Sequence, residues 1–118
     1  LMSVAWVLLL PIGAFLPRHR WVFGEAKLWG VHVWFRMHLL LQLLGFALLI
    51  AGFVVAVVLL PDAAGDIGSA HSILGYIIMA MALAQVVAGF LRPAPSSTRR
   101  PLFNAMHHWL GRVAIVVA

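Results

Sequence analysis

Hydrophobic residues fill four long segments of this chain, and polar residues gather in the connectors between them. The apolar segments cover residues 1–17, about 37–60, 71 to about 91, and about 104–118. A membrane-spanning helix needs roughly 20 apolar residues, so the two middle segments are long enough to cross a bilayer. Backbone groups in lipid must bond within their own segment, so we expect helices. The pattern predicts an all-α fold, a transmembrane four-helix bundle.

The three connectors differ in charge, and the difference predicts orientation. The first, 18–36, carries four basic residues and Glu25, and the third, 92–101, carries three basic residues. The second, 61–70, is charged only by Asp62 and Asp66. Lys and Arg accumulate in cytoplasmic loops. We therefore expect the first and third connectors in the cytoplasm, and we interpret the Trp and Phe residues of the first as interfacial membrane anchors.

Composition agrees with a lipid environment and excludes several kinds of site. Only 9% of the residues are charged, against roughly 25% in soluble domains. The net charge is +5, but the basic residues lie mainly in short connectors, so we expect no nucleic-acid partner. The absence of cysteine excludes disulfides, cysteine-ligated clusters and covalent haem attachment. Because both ends lie inside apolar runs, we expect residues 1–118 to be one membrane domain truncated at both ends.

Histidines at the starts of the apolar segments are the candidate chemical groups, since ionisable residues within membranes are costly and commonly functional. His38 opens the second segment and His107 opens the fourth, both from the predicted cytoplasmic side. Antiparallel helices would bring them to the same depth. Two neutral imidazoles at one depth suit a six-coordinate haem held between helices, and thus one-electron transfer. The alternative, in which each histidine only bonds locally or faces headgroups, stays open.

His71 opens the third segment near the opposite face, and no partner for it is visible in this sequence. Gly75 follows His71 by one turn, and Gly111 follows His107 in the same way. Such glycines leave room for a flat macrocycle, or they allow close helix packing. Further glycine and glutamine residues share these helix faces: Gln42, Gly45 and Gly52 with His38, and Gln85 and Gly89 with His71.

The remaining histidines are weaker candidates. His108 adjoins His107 but points about 100° away on a helix, so the glycine spacing favours His107. His19 and His32 lie in the first connector, and we expect them to be solvated.

Strings spread over the whole chain carry a resemblance to a known family. They are Leu-Met-Ser-Val-Ala-Trp with Leu-Pro-Ile-Gly in residues 1–13, Trp34-Phe35-Arg36-Met37-His38 with Leu41-Gln42, His71-Ser72-Ile73-Leu74-Gly75, Gln85 followed by Leu91-Arg92-Pro93, and Asn104-Ala105-Met106-His107-His108-Trp109-Leu110-Gly111-Arg112. Together they are similar to the core of the eukaryotic cytochrome b-561 family, in particular to members with an extracellular DOMON domain ahead of that core.

The resemblance implies two non-covalent b haems, one near each membrane face, which pass electrons across the bilayer. It places the cytoplasmic haem on His38 and His107, and it makes His71 one ligand of the outer haem. The other outer ligand would precede Leu1, so this sequence lacks it. The resemblance also implies ascorbate as the cytoplasmic reductant, and ferric iron or monodehydroascorbate as the acceptor on the other side. Whether the protein acts as an ascorbate-dependent ferric reductase stays open.

Three arginines suggest where an anionic reductant could bind on the cytoplasmic side. Arg36 precedes His38 by two residues, and Arg99 and Arg100 precede His107. A guanidinium can hydrogen-bond oxygen anions, so we predict substrate binding there. The alternative is that these arginines only signal topology and contact lipid headgroups.

Two rival functions stay open: a transporter whose histidines bind a metal ion or a proton, and a structural membrane module without cofactor. A transporter should line a path with polar residues, and the second segment has only Gln42 beyond His38. We expect a multi-pass protein of the plasma membrane or an endomembrane. A homodimer stays open.

Overall fold

The computed structural model describes residues 1–59 and 68–118, which form two compact units. The first unit contains helices α1 (Met2–Phe15) and α2 (Val33–Leu59), and the second contains α3 (Ala70–Phe90) and α4 (Arg100–Val117). All four apolar segments are therefore helical, as predicted. The acidic connector with Asp62 and Asp66, and the last residue of the second segment, lie outside the described residues.

Two of the helices in the described ranges are long and apolar enough to cross a membrane. They are α2, with 27 residues, and α3, with 21. Large apolar side chains on both helices are exposed, for example Leu40 and Leu83, as expected where lipid is the solvent. Helix α1 is shorter, and α4 is less apolar because it contains Arg100, Asn104, His107, His108 and Arg112.

Helix α1 is irregular because it contains a proline. Residues Ala5–Leu9 form a π-helical turn that ends two residues before Pro11, where the missing proline N–H interrupts the ordinary helical bonding pattern. The helix ends at Phe15, two residues before Pro17.

The first connector folds into a 3₁₀ turn and a small β-hairpin. The 3₁₀ turn covers Arg20–Phe23, and strands β1 (Lys27–Leu28) and β2 (Val31–His32) pair antiparallel. The two-residue turn between them, Trp29 and Gly30, has φ of 50° and 76°, the signature of a type I′ turn. Helix α2 starts directly after β2, so it begins before the predicted start near residue 37.

Each helix pair has its own small core. Helices α1 and α2 run antiparallel and bury Leu10 and Leu49. In the second unit, α3 begins at a Ser69 cap whose hydroxyl accepts the Ser72 N–H, and helices α3 and α4 pack together. The residues buried there are Ile78, Ala82 and Ala114. These two pairs position the candidate residues.

Candidate functional site

His38 lies in the second turn of α2 and is fixed by a hydrogen bond to α1. Its Nδ1 lies 2.7 Å from the carbonyl oxygen of Gly13. Because a carbonyl oxygen only accepts, Nδ1 carries the proton and donates it, and the lone pair resides on Nε2. The Phe35 ring stacks against the imidazole with centroids 6.5 Å apart. The polypeptide thereby sets the tautomer and ring orientation that present Nε2 as a metal ligand.

Gln42, one turn after His38, makes a second bond of the same kind. Its Nε2 donates to the carbonyl oxygen of Leu10 at 2.9 Å. Two successive polar side chains of α2 therefore bind carbonyl groups one turn apart on α1. The predicted shared face of His38 and Gln42 is confirmed, and that face lies against α1.

Glycines allow the close contact between α1 and α2. A Cβ added at Gly45 would lie 2.7 Å from Cδ2 of Leu10, and one at Gly52 would lie 2.7 Å from Cγ of Met2. A Cβ at Gly13 would lie 2.6 Å from Nε2 of Gln42. Of the two roles that the sequence left open for glycine, helix packing is therefore the one observed at positions 45 and 52.

His107 lies on the half-buried face of α4, within a row of stacked side chains. Its imidazole stacks on the Phe103 ring with centroids 5.4 Å apart and an angle of 12° between the planes. The guanidinium of Arg100 lies 5.9 Å from the centre of the same ring. His108, the next residue, is exposed. The preference for His107 over His108 as the inward-facing residue agrees with this geometry.

Gln85 on α3 faces α4 one turn beyond His107. Its side-chain oxygen would lie 3.7 Å from a Cβ added at Gly111. Its Nε2 is buried, and among the described residues it meets no hydrogen-bond acceptor. Leaving a buried donor without an acceptor costs about 1–3 kcal/mol of stability. A bound group could supply the acceptor that this amide lacks.

His71 occupies the first turn of α3 and is exposed. Gly75, one turn later, faces open space, as does Gly89: a Cβ added at either would meet no described atom within 4 Å. These two glycines therefore do not pack another described element, in contrast to those of α2. Space for a flat macrocycle beside α3 is compatible with this arrangement.

The side chain of Arg36 contacts the β-hairpin. Its Nε donates to the carbonyl oxygen of Leu28 at 2.8 Å, and its guanidinium lies 5.1 Å from the centre of the Trp29 ring. Trp29 is 83% exposed at the tip of the turn and has a positive φ that bulky residues rarely adopt. Arg36 thus holds this turn in place, a role that the sequence pattern did not predict.

The other two candidate arginines lie around the start of α4. Arg99 is exposed and its backbone N–H donates to the Ser97 hydroxyl. Arg100 donates from its guanidinium to the carbonyl oxygen of Pro93. Burial, and then the charge of Arg100, lower the pKa of the nearby Arg92 guanidinium below its usual value. The cationic charge that could attract an anion here includes Arg92, which the prediction omitted.

The prediction that His19 and His32 are solvated is wrong in part. The His19 ring stacks on Phe15 at 3.6 Å, and its Nδ1 lies 3.2 Å from the Phe15 carbonyl oxygen. His32 lies in β2 next to Trp34, and its Nδ1 is buried without a hydrogen-bond partner in the described ranges. Neither residue was recognised as packed, because the β-hairpin and the turn after α1 were not predicted.

The donor atoms that the described residues offer are chemically suited to bind a haem iron. His38 presents Nε2 through its bond to Gly13, and open space adjoins the glycines of α3. Nowhere in the described parts of the chain do three or more His, Cys, Asp or Glu residues cluster as they would around a chelated metal ion. The pairing of His38 with His107 stays a prediction, since the two residues lie in separate compact units.

Comparisons with known proteins agree with the resemblance seen in the sequence. The chain is 31% identical over 116 residues to a cytochrome b561 and DOMON domain-containing protein of Arabidopsis thaliana, covering 98% of this chain and 27% of that protein. It is 34% identical over 113 residues to another Arabidopsis protein of the same description, covering 96% of this chain and 29% of the relative. It is 30% identical over 118 residues to ferric-chelate reductase 1 of Bos taurus, covering 100% of this chain and 20% of that protein.

The chain thus spans less than a third of the length of these relatives. No solved structure matches it. The family model described as eukaryotic cytochrome b561 matches residues 1–118, the whole sequence. The chain therefore belongs to the eukaryotic cytochrome b561 family.

Proposed function

We propose that this chain is the membrane core of a b-type haem protein that carries electrons across the bilayer. Family membership supports b-type haem and a membrane location, and the lengths and apolar character of α2 and α3 support membrane crossing. The observation that carries the proposal is the bond from His38 Nδ1 to the Gly13 carbonyl. It holds a neutral imidazole with Nε2 as the donor atom.

His38 and His107 would hold one haem near the cytoplasmic face, and His71 would supply one ligand of a second haem near the other face. When bound, the haem would supply one-electron chemistry, and the histidine imidazoles would serve as its nitrogen ligands. The bond to the Gly13 carbonyl orients the imidazole of His38, and the Phe103 ring stacks on that of His107.

The cytoplasmic reductant in this proposal is ascorbate, and the acceptor on the other side is ferric iron or monodehydroascorbate. The name of the bovine relative, ferric-chelate reductase 1, supports ferric iron. Arg36, Arg99 and Arg100 would attract the anionic reductant, with Arg92 adding charge beside Arg100. A DOMON domain fused to this core is part of the proposal, because two of the relatives carry one in their names.

Proteoliposomes test this function. The full-length protein is reconstituted in vesicles that contain ascorbate, and a ferric chelate with an indicator for ferrous iron is added outside. We expect ferrous iron to form outside only when the protein is present, and we expect His38→Ala to stop its formation. His108→Ala is the matched control and should retain the activity. Uptake of a metal ion or protons without any haem absorbance would instead establish the rival transporter function.

A further inference from the structure

The carbonyl group that accepts the hydrogen bond from His38 belongs to Gly13, two residues before the end of α1. In a regular helix, the carbonyl of Gly13 would accept the backbone N–H of the residue four positions later. That residue is Pro17, which has no N–H. Helical geometry nevertheless reaches this point, since Leu16 has φ −56° and ψ −46°, and its N–H donates to the Ile12 carbonyl at 3.3 Å.

The nitrogen of Pro17 therefore occupies the position of a helical donor without being one. At this carbonyl, the imidazole of His38 supplies the hydrogen bond, at 2.7 Å. We propose that Pro17 is a positioning residue for the haem, because its missing N–H reserves the Gly13 carbonyl for Nδ1 of His38. This inference rests on the proposed function insofar as it takes His38 to be a haem ligand.

The lack of a side chain at Gly13 is the second requirement of this arrangement. A Cβ at that position would lie 2.6 Å from Nε2 of Gln42 and 3.1 Å from Cβ of Leu41. Gly13 thus lets α2 approach closely enough for the imidazole to reach the carbonyl. The neighbouring bond from Gln42 to Leu10 holds α2 in that register.

The expected consequence concerns the electron affinity of the haem. A strong hydrogen bond from Nδ1 to a carbonyl raises the basicity of the imidazole. A more basic ligand stabilises ferric iron relative to ferrous iron, so it lowers the midpoint potential. If a backbone N–H competes for the carbonyl, the bond from His38 weakens and the potential should rise.

The test is Pro17→Ala in the full-length protein, with Pro11→Ala as the matched control. Both substitutions add an N–H to α1 or its end, but only the one at position 17 faces the Gly13 carbonyl. We expect Pro17→Ala to retain haem and to shift the ferric–ferrous equilibrium roughly threefold. At about 59 mV per tenfold change for a one-electron couple, that is about 30 mV upward, with altered g-values in the electron paramagnetic resonance spectrum of the oxidised protein. Pro11→Ala should leave both unchanged.

A second variant separates the missing N–H from the rigidity of the proline ring. An α-hydroxy acid with a methyl side chain, placed at position 17, gives a backbone ester that has neither the ring nor an N–H. We expect this variant to keep the natural potential. If it raises the potential as Pro17→Ala does, or if Pro17→Ala leaves the potential unchanged, the inference is overturned. Failure of the proposed function would look different: His38→Ala would then retain every haem.

Discussion

In the first helix pair, α1 and α2, two polar side chains of α2 donate to carbonyl groups of α1, at 2.7 Å and 2.9 Å. In the second pair, α3 and α4, the buried amide of Gln85 meets no acceptor among the described residues. The glycines differ in parallel. Those of α2 lie against α1 side chains, whereas Gly75 and Gly89 of α3 face open space.

The difference suggests two kinds of ligand support. In the first pair the polypeptide itself holds the imidazole of His38, and the close packing means that a methyl group added at Gly13, Gly45 or Gly52 would force a neighbouring side chain to shift. In the second pair, the buried Gln85 amide meets no acceptor among the described residues, and open space adjoins Gly75 and Gly89, which is compatible with a bound group. The first pair should therefore be sensitive to changes in packing, and the second mainly to changes that affect the bound cofactor.

The largest expected effect is loss of haem, and a different haem should be lost when the histidine of each helix pair is replaced. If the full-length protein holds the two haems that we propose, His38→Ala and His71→Ala should each remove one of them, and the two variants should lose different redox components. The physical reason is that each variant would lose a nitrogen that could bind haem iron. Redox titration followed by visible absorbance measures this, with His19→Ala as a control that should retain both haems. Loss of the same component in both variants would contradict the assignment of separate sites.

A second prediction compares glycines. Gly45→Ala should destabilise the protein by about 1–3 kcal/mol, as overpacking does in tight cores, because the new Cβ would lie 2.7 Å from Leu10. Gly89→Ala should change stability by less than about 0.5 kcal/mol, as surface substitutions usually do. Denaturation in detergent followed by circular dichroism compares the two variants. Equal losses would show that the packing difference between the pairs does not matter energetically.

A third prediction compares the two glutamines. Gln42→Leu removes the bond to the Leu10 carbonyl and should cost about 0.5–1.5 kcal/mol. Gln85→Leu removes a buried amide whose Nε2 meets no acceptor in the described part of the chain, so the apo-protein should be equally or more stable. The same denaturation measurement, made before and after haem is supplied, checks this. If Gln85→Leu destabilises the apo-protein as much as Gln42→Leu does, Gln85 has a structural role.

The smallest expected effect concerns electron entry. Arg36→Glu should slow haem reduction by ascorbate severalfold at low salt, more than Arg36→Gln does, because charge reversal adds repulsion. The defect should shrink as salt increases, since exposed charges are screened over about 8–10 Å. Stopped-flow absorbance measures the rate.

The contact between Arg36 and the hairpin requires its own control. Trp29→Ala removes the ring below the guanidinium without changing charge. An equal slowing in Trp29→Ala would show that Arg36 acts by holding the turn. An unchanged rate in Arg36→Glu would leave Arg36 without any part in electron entry.

Much of this structure follows from periodicity and composition. The four helices, the full length of the two middle ones and the shared face of His38 and Gln42 were all predictable, since apolar runs of this length must be helical in lipid. The partner of that face was not, because a sequence pattern does not say which helix lies opposite. Pro11 in α1 and Pro17 just after it were visible in the sequence, but the consequence of Pro17 depends on which carbonyl group lies near His38.

The β-hairpin was the main element missed. Its turn places Trp29 at positive φ, where asparagine or aspartate is usual before glycine. Only Gly30 carried a turn signal. As a result, the starts of β2 and α2 were not predicted, and His32 was expected to be solvated. The contact of Arg36 with Leu28 could be recognised only once the hairpin had been described.

The central claim is that His38 and His107 together hold one b haem. The most direct measurement is the haem content and the reduced-minus-oxidised spectrum of full-length His107→Ala, compared with its neighbour variant His108→Ala. We expect His107→Ala to lose the same haem component as His38→Ala, and we expect His108→Ala to keep it. Loss of that component in His108→Ala, with His107→Ala unaffected, would contradict the account.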